Sequence, residues 1–398
     1  MHLPWLKAFL AETPTEMHRS NKSPAFLCVH ANSELYGSDR VFLQTLQVLR
    51  STWPNAHITV VLPGEGPLMT AAGDITSDIR IDKLFVLRRS HLKSLCIQLP
   101  RLLGRIFVAR RLMAKYDVTY ISTIVVTDFI LGSCATKANA IIHVHEMPAG
   151  CARVVFSLLL RISNATLIFI SQRSRMNFLG LSAKCQKVIW NGTRPVDLPA
   201  ASSNADRELR ILLIGRFNAW KGQNLLIDAI AMLPIDKRKS IRLRLLGSTF
   251  EGQAHFRDEI LDNIVQHGLE EVVEVLPFDP NPRWQYAWSD IVAVPSTLPE
   301  PFGLVAIEAM SAGRAVVAAN HGGLSEIVDN EVTGLKVAPG DKVAWRDALL
   351  RYINDRELVE RHGHAGRKRF SEHFDESIYM RQIAETFDGA LMSGAADV

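Results

Sequence analysis

The sequence predicts an α/β protein built from two doubly wound parallel-sheet domains that face each other across a cleft. Three observations carry this: the length of the chain, an alternation of short Val- and Ile-rich runs with helix-length segments, and a polar break after which the alternation restarts. At 398 residues the chain exceeds what one hydrophobic core usually organises, so two domains of about 200 residues each are expected. Apolar residues make up 47% and charged residues 22%, a composition that supports a packed interior and excludes a disordered or collagen-like chain.

In the first half the predicted strands are Ala25 to His30, His57 to Leu62, Val118 to Ser122, Ala140 to Val144, Thr166 to Ser171 and Lys187 to Trp190. Helical periodicity fills the gaps, as with Val41, Leu43, Leu46 and Leu49 after the Tyr36-Gly37-Ser38-Asp39-Arg40 turn. Strand-helix-strand order of this kind gives parallel sheets through right-handed crossovers. Residues 194–208 are polar and rich in Pro, Ser and Ala with no apolar period, the signature of an interdomain linker. Strands then resume at Leu209 to Ile214, Ile241 to Leu246, Val272 to Leu276, Ile291 to Val294 and Ala315 to Ala318, and Asp341 to Met392 reads as successive helices. The expected division is a leader over 1–24, a Rossmann-like domain over 25–193, the linker over 194–208, a second Rossmann-like domain over 209–370, and a C-terminal helix over 371–398 packing back on the first domain.

The five cysteines fall in no metal-ligand spacing and suggest no disulfide framework. Leu3 to Leu10 is a short apolar patch interrupted by Lys7, without the flanks of a signal peptide. No run reaches the ~18 apolar residues of a membrane span. The expected location is the cytoplasm, with room for a peripheral position on the inner face of the cytoplasmic membrane.

Open parallel sheets bind ligands at the carboxyl ends of their strands. After the strand Ile291 to Val294, a Pro-broken loop carries Glu300, and a helix begins near Phe302 or Gly303 and closes at Gly313. Such a helix start presents unpaired amides suited to phosphate, and Gly303 permits close backbone approach. Glu300 and Glu308 would lie roughly 12 Å apart on a continuous helix, so they suit two parts of one ligand better than a shared proton. The plain alternative makes Glu300 a helix-flanking acid and Glu308 a solvated helical residue. After Leu209 to Ile214 the segment Gly215-Arg216-Phe-Asn-Ala-Trp-Lys221-Gly222 places two cations where they could reach a pyrophosphate, although loop cations are also common surface residues. In the first half the turn around Gly37 is a weaker phosphate signal, since it lacks Gly-x-Gly-x-x-Gly. Strand alternation sends one of His143 and His145 inward and turns His145 toward the cleft. A buried structural histidine is an equal reading. No Asp-x-Asp, P-loop or nucleophile elbow occurs.

These motifs resemble the family 4 glycosyltransferases, retaining enzymes of the GT-B fold. Gly-Arg216-Phe-Asn-Ala-Trp-Lys221-Gly is similar to the family's Gly-Arg-x4-Lys-Gly element, and Glu300 to Glu308 to its Glu-x7-Glu signature. Gly322-Gly-Leu-Ser-Glu326-Ile-Val-Asp-Asn-Glu-Val-Thr333-Gly334-Leu resembles the segment that follows. The resemblance implies a nucleoside-diphosphate sugar as co-substrate, no bound cofactor and no metal. It implies that Arg216 and Lys221 bind the donor diphosphate, Glu308 the ribose and Glu300 the transferred sugar. Phe302, Gly303 and Leu304 would face sugar and phosphates, Gly37 would offer an amide from the opposite domain, and His145 matches an active-site histidine near the sugar. Tyr36-Gly37 differs from the family's more common Gly-Gly.

Between Arg80 and Lys115 there are ten Lys or Arg against one acid, Asp82. On a helix, Arg101, Arg105, Arg111 and Lys115 share a sector of roughly 120°, with Leu102, Leu103, Ile106, Phe107 and Met113 largely opposite. An ordinary crossover helix explains this, as does docking on anionic lipid at about 1 kcal/mol per basic residue, which would suit a glycan or lipid-linked acceptor. No aromatic stacking motif accompanies the charges, so nucleic acid is not an expected partner. A nucleotide-sugar epimerase or hydrolase of the same layout, and a non-catalytic sugar-nucleotide-binding protein, are the competing readings.

Overall fold

In a computed structural model the described residues are 23–87, 95–134, 139–181, 185–196, 198 and 208–395. Most of the expected leader and most of the expected linker lie outside them. Two separate parallel sheets form, as the alternation predicts.

The first sheet is seven-stranded with order β3-β2-β1-β4-β5-β6-β7, where β1 is Ala25–Val29, β2 His57–Leu62, β3 Asp78–Ile81, β4 Val118–Ile121, β5 Asn139–Val144, β6 Ala165–Phe169 and β7 Gln186–Val188. The second is six-stranded, β10-β9-β8-β11-β12-β13, from β8 Leu209–Ile214, β9 Ile241–Leu246, β10 Val273–Leu276, β11 Ile291–Val294, β12 Ala315–Ala319 and β13 Gly334–Val337. The central strands are buried on both faces, which is why they read as unbroken apolar runs. Two strands escape the sequence reading. β3 carries Asp78 and Arg80 at a sheet edge, and β13 opens on Gly334, whose added Cβ would lie 2.0 Å from the Val316 carbonyl. In each sheet the order reverses beside the first strand of the domain, β1 and β8. That is where a crevice opens.

Helices α1 (Gly37–Thr52), α2 (Pro67–Gly73), α3 (Leu95–Met113), α4 (Thr127–Ser133), α5 (Gly150–Ile162) and α6 (Gln172–Met176) accompany the first sheet. The second carries α7 (Gln223–Ala231), α8 (Ile235–Arg238), α9 (His255–Gln266), α10 (Arg283–Trp288), α11 (Leu304–Ser311), α12 (Leu324–Ile327), α13 (Lys342–Asn354) and α14 (Arg356–His373). The last helix, α15 (Glu376–Ala395), crosses back. Its Tyr379, Ile383 and Phe387 are buried with Phe26, Phe42 and Tyr120 of the first domain. Asn139 donates to the Ala390 carbonyl at 2.7 Å and Lys187 to Thr386 at 3.1 Å. The crossing is tight at Gly192, where an added Cβ would come within 2.9 Å of the Asp375 carbonyl.

The helical wheel over Arg101 to Lys115 needs correction. Leu102, Ala109 and Met113 of α3 are buried, whereas Leu103 and Phe107 are 59% and 60% exposed. Arg105 does not belong to a solvent-facing basic row: it pairs with Asp82 at 2.9 Å and Asp128 at 3.5 Å, with 17% of its side chain exposed. The buried face is turned away from the position inferred, so two large apolar side chains share the outer surface with Arg101, Arg110 and Arg111. Lys115 lies exposed just beyond the helix.

Candidate active site

The loop from β11 to α11 is held in shape from below. Gly303 caps α11 at φ 139°, a backbone region closed to other residues, and an added Cβ would meet Leu324 at 2.5 Å. Gly322, at φ 55°, packs so closely beneath Glu300 that a Cβ would lie 2.2 Å from its carbonyl oxygen, and Gly323 N–H donates to that carbonyl at 2.8 Å. The Gly-Gly pair thus exists to let two backbones touch. Glu300 is 7% exposed, and its Oε1 accepts from Lys221 Nζ at 2.6 Å and from the Ser296 hydroxyl.

Glu308 is also buried, at 6%, and is not a solvated helical acid. Tyr286 of α10 donates its hydroxyl to Oε2 at 2.7 Å, while Oε1 pairs at 2.8 Å with Arg40, which comes from the other domain. Burial, then the charge of Glu308 and its hydrogen bond, push the Tyr286 hydroxyl well above its usual range. The carboxylate of Glu308 raises the Arg40 guanidinium above its usual range.

Arg216 leaves the end of β8 and lies over two rings, 3.8 Å from the centroid of Tyr36 and 3.1 Å from that of Phe250. Tyr36 itself reaches Phe250 and Phe278 at 6.0 and 6.1 Å. The Tyr36 side chain therefore packs across the cleft. Lys221 lies one residue before Gly222, whose φ of 83° brings its position within 2.1 Å of the Pro295 carbonyl for an added Cβ. This contact brings the β8 and β11 loops together and sets Lys221 beside Glu300.

On the opposite wall Gly37 begins α1, and an added Cβ would lie 3.5 Å from Leu304. Asp39 fixes this turn by accepting from Tyr36 N–H at 2.9 Å and from His30 Nε2 at 2.7 Å. Burial alone would raise the Asp39 carboxyl, but the hydrogen bond and charge of His30 and the Tyr36 amide hold it below the usual range. His145 follows β5 and is buried, 3.4 Å from the Ser122 hydroxyl; its ring lies 4.2 Å from that of His143, so the two histidines share a face and are not divided by the alternation, which repeats every two residues. Burial, then repulsion from His143 and His30, drives its pKa well below the ordinary value. A histidine so placed is neutral at physiological pH and offers hydrogen bonds rather than a proton.

Beside these groups lies a cavity of about 450 Å³ whose lining combines polar side chains, among them His30, Asn32 and Glu146, with apolar ones such as Leu87, Val155 and Phe156. Burial raises the Glu146 carboxyl, which accepts from the amides of His145 at 3.1 Å and Ile124 at 3.3 Å and from the Thr123 hydroxyl. Glu326, within the third sequence motif, has a different task from its neighbours. It accepts from the amides of Gln172 and Arg173 at the start of α6, at 2.9 and 2.5 Å, and clasps the two domains together.

The structure thus brings Glu300, Lys221, Phe302, Gly303, Leu304, Glu308 and Arg216 to the ends of β8 and β11, with Gly37 opposite. His145 lies on the first-domain side near the cavity, and Arg101, Arg111 and Lys115 lie apart on and just after α3. Arg40, Tyr286, His30, Asp39 and Glu146 were not singled out by motif. Arg40 was within the recognised turn, and Glu146 followed His145, so both had a local signal. Tyr286 had none. Among the described residues no cluster of three or more His, Cys, Asp or Glu could hold a metal ion.

Residues 197–369 match the family described as Glycosyl transferases group 1. The match falls on the second domain and is a similarity of that part of the chain. The chain is 35% identical over 176 residues to a D-inositol 3-phosphate glycosyltransferase of Nocardia farcinica, covering 43% of this chain and 39% of that protein. It is 31% identical over 203 residues to a glycogen synthase of Mycobacterium tuberculosis, covering 50% and 47%. The chain therefore spans less than half the length of these curated relatives. Among solved structures, Anabaena Alr3699/HepE in complex with UDP and glucose aligns with a TM-score of 0.76 at 24% identity, over 92% of this chain and 99% of that one. At that identity the likeness speaks for the fold alone: two doubly wound domains that face each other in the GT-B arrangement.

Proposed function

We propose that this protein is a retaining, metal-independent glycosyltransferase that moves a sugar from a nucleoside-diphosphate sugar to a glycan or lipid-linked acceptor in building a cell-surface polysaccharide or glycolipid. The observation that supports it most is the placement of two buried carboxylates, each already bound to a cation, at a helix start that faces the α1 turn of the other domain. On this reading Glu308 takes the ribose, Arg216 and Lys221 the diphosphate with the amides of Gly37 and Gly303, and Glu300 the sugar, between Phe302, Leu304 and His145. Cations and amides fixed in place stabilise charge as it grows on the departing diphosphate. The cavity beside His145, lined by both polar and apolar side chains, suits the acceptor.

Thermal denaturation against a panel of nucleoside diphosphates and their sugars tests the donor half. UDP leads the panel because the Anabaena protein is described with it. One diphosphate should stabilise the protein by about 2.7 kcal/mol at a hundredfold excess over Kd. No stabilisation by any member removes the proposal. Incubating the best sugar nucleotide without acceptor then separates transfer from epimerisation or hydrolysis, since only the latter two turn over rapidly.

A lipid-linked acceptor favours a position on a membrane. No helix among the described residues is long and apolar enough to cross one. The outer faces of α3 and α5 nevertheless expose Leu99, Leu103, Phe107, Val154, Leu158 and Ile162, each at least 47% accessible, beside Arg101, Arg110 and Arg111. Both helices pack against α4 and lie on one side of the domain. Such a mixed basic and apolar face suits the interface of an anionic bilayer. Co-sedimentation with vesicles containing anionic lipid is expected, weakened at high salt and lost in a Leu103→Ser, Phe107→Ser double variant. Equal recovery of the variant and the native protein would remove the membrane from the proposal.

A further inference from the structure

We infer that Arg40 is a donor-binding residue supplied by the first domain, which pairs with Glu308 across the cleft and passes to the donor diphosphate when the ribose takes that carboxylate. This rests on the reading of Glu308 as the ribose group. The ion pair has one fixed and one movable partner. Glu308 is held on a helix, with 8% of its side chain exposed and its Oε2 bound to the fully buried Tyr286. Arg40 has 53% of its side chain exposed. Its backbone is nevertheless fixed, because Asp39 is tied to Tyr36 N–H and His30, and Arg40 N–H bonds to the Tyr36 carbonyl at 2.9 Å.

Ribose hydroxyls on Glu308 compete with the guanidinium for the same oxygen. The 5′ oxygen of that ribose is esterified to the α-phosphate, so the displaced cation finds itself near a stronger anion. Arg40 also lies in the first turn of α1, three residues past Gly37, where backbone amides already favour phosphate. A guanidinium grips phosphate oxygens in pairs, which an ammonium does not. Arg40 therefore contributes to the diphosphate and opposes the nucleoside, an effect of two signs.

The test measures affinity for the panel's best nucleoside diphosphate and, by competition, for the corresponding nucleoside, in native protein, Arg40→Ala and Arg40→Lys. Arg40→Ala should weaken the diphosphate about tenfold or more while nucleoside affinity stays equal or rises, and Arg40→Lys should recover only part of the diphosphate loss. Unchanged diphosphate affinity, or parallel loss of both ligands, overturns the inference and leaves Arg40 as a structural clasp. Native protein that binds no nucleoside diphosphate overturns the donor-site reading itself, and this inference with it. Melting temperatures of the variants close to native show that any loss arises at the site.

Discussion

Glutamine in place of Glu300 is expected to lower turnover of the sugar nucleotide by about 10²-fold or more, the size of effect seen when one preorganised electrostatic contact to a reacting centre is removed. Affinity for the nucleoside diphosphate should stay within a few fold or improve. The split follows from the structure: Glu300 Oε1 binds Lys221 at 2.6 Å, so losing the carboxylate charge leaves Lys221 freer for phosphate oxygens while the sugar loses its contact. Lys221→Ala should give the reverse emphasis, with diphosphate affinity falling first. Steady-state release of nucleoside diphosphate, paired with direct binding of that product, separates the two. Equal losses in turnover and affinity for Glu300→Gln would contradict the division between sugar and diphosphate groups.

The second large effect concerns acid. His143 is fully buried, and burial lowers its pKa from 6.5 to about 3; burial also lowers His145, with repulsion from His143 and His30 adding to it. The unfolded chain takes up these protons below about pH 6.5 and the folded one resists them. Stability is therefore complete above that pH and is lost as pH falls toward the folded value. Between pH 7 and pH 5, His143 alone should remove about 2 kcal/mol, and His145 acts in the same direction. Glu146 and Asp128, both raised by burial, work oppositely, since their contribution falls as pH rises. The variant His143→Gln isolates the histidine, because its amide still accepts from the Tyr120 hydroxyl that now donates to Nδ1 at 2.8 Å. Denaturant unfolding of native and variant at both pH values should show a flatter dependence in the variant. Identical slopes would mean that the buried imidazole is not a source of acid sensitivity.

How much of this was legible in the sequence depends on distance along the chain. Strands such as His57–Leu62 and Ile291–Val294 declare themselves because burial on both faces demands unbroken apolar runs. The edge strand Asp78–Ile81 is half polar and makes no such demand. Glu300, Gly303 and Glu308 are legible because their meaning lies in a strand end followed by a helix start. Their partners are not, since Arg40 meets Glu308 only after both domains have formed and come together. Arg105 was misplaced for a related reason. A helical wheel tells which residues share a face, but Asp82 and Asp128, on other elements, decide which face turns inward.

The return of α15 to the first domain affects how the chain is made. Tyr379, Ile383 and Phe387 complete a core begun by Phe26 and Phe42, yet they are synthesised roughly 200 residues after β7, a delay on the order of 10–40 s at usual translation rates. Throughout that interval the nascent first domain carries an open apolar seam, while the second domain can close around its own sheet. The order of completion on the ribosome is thus inverted, with the half that emerges first finishing last, and chaperone binding should concentrate on that seam.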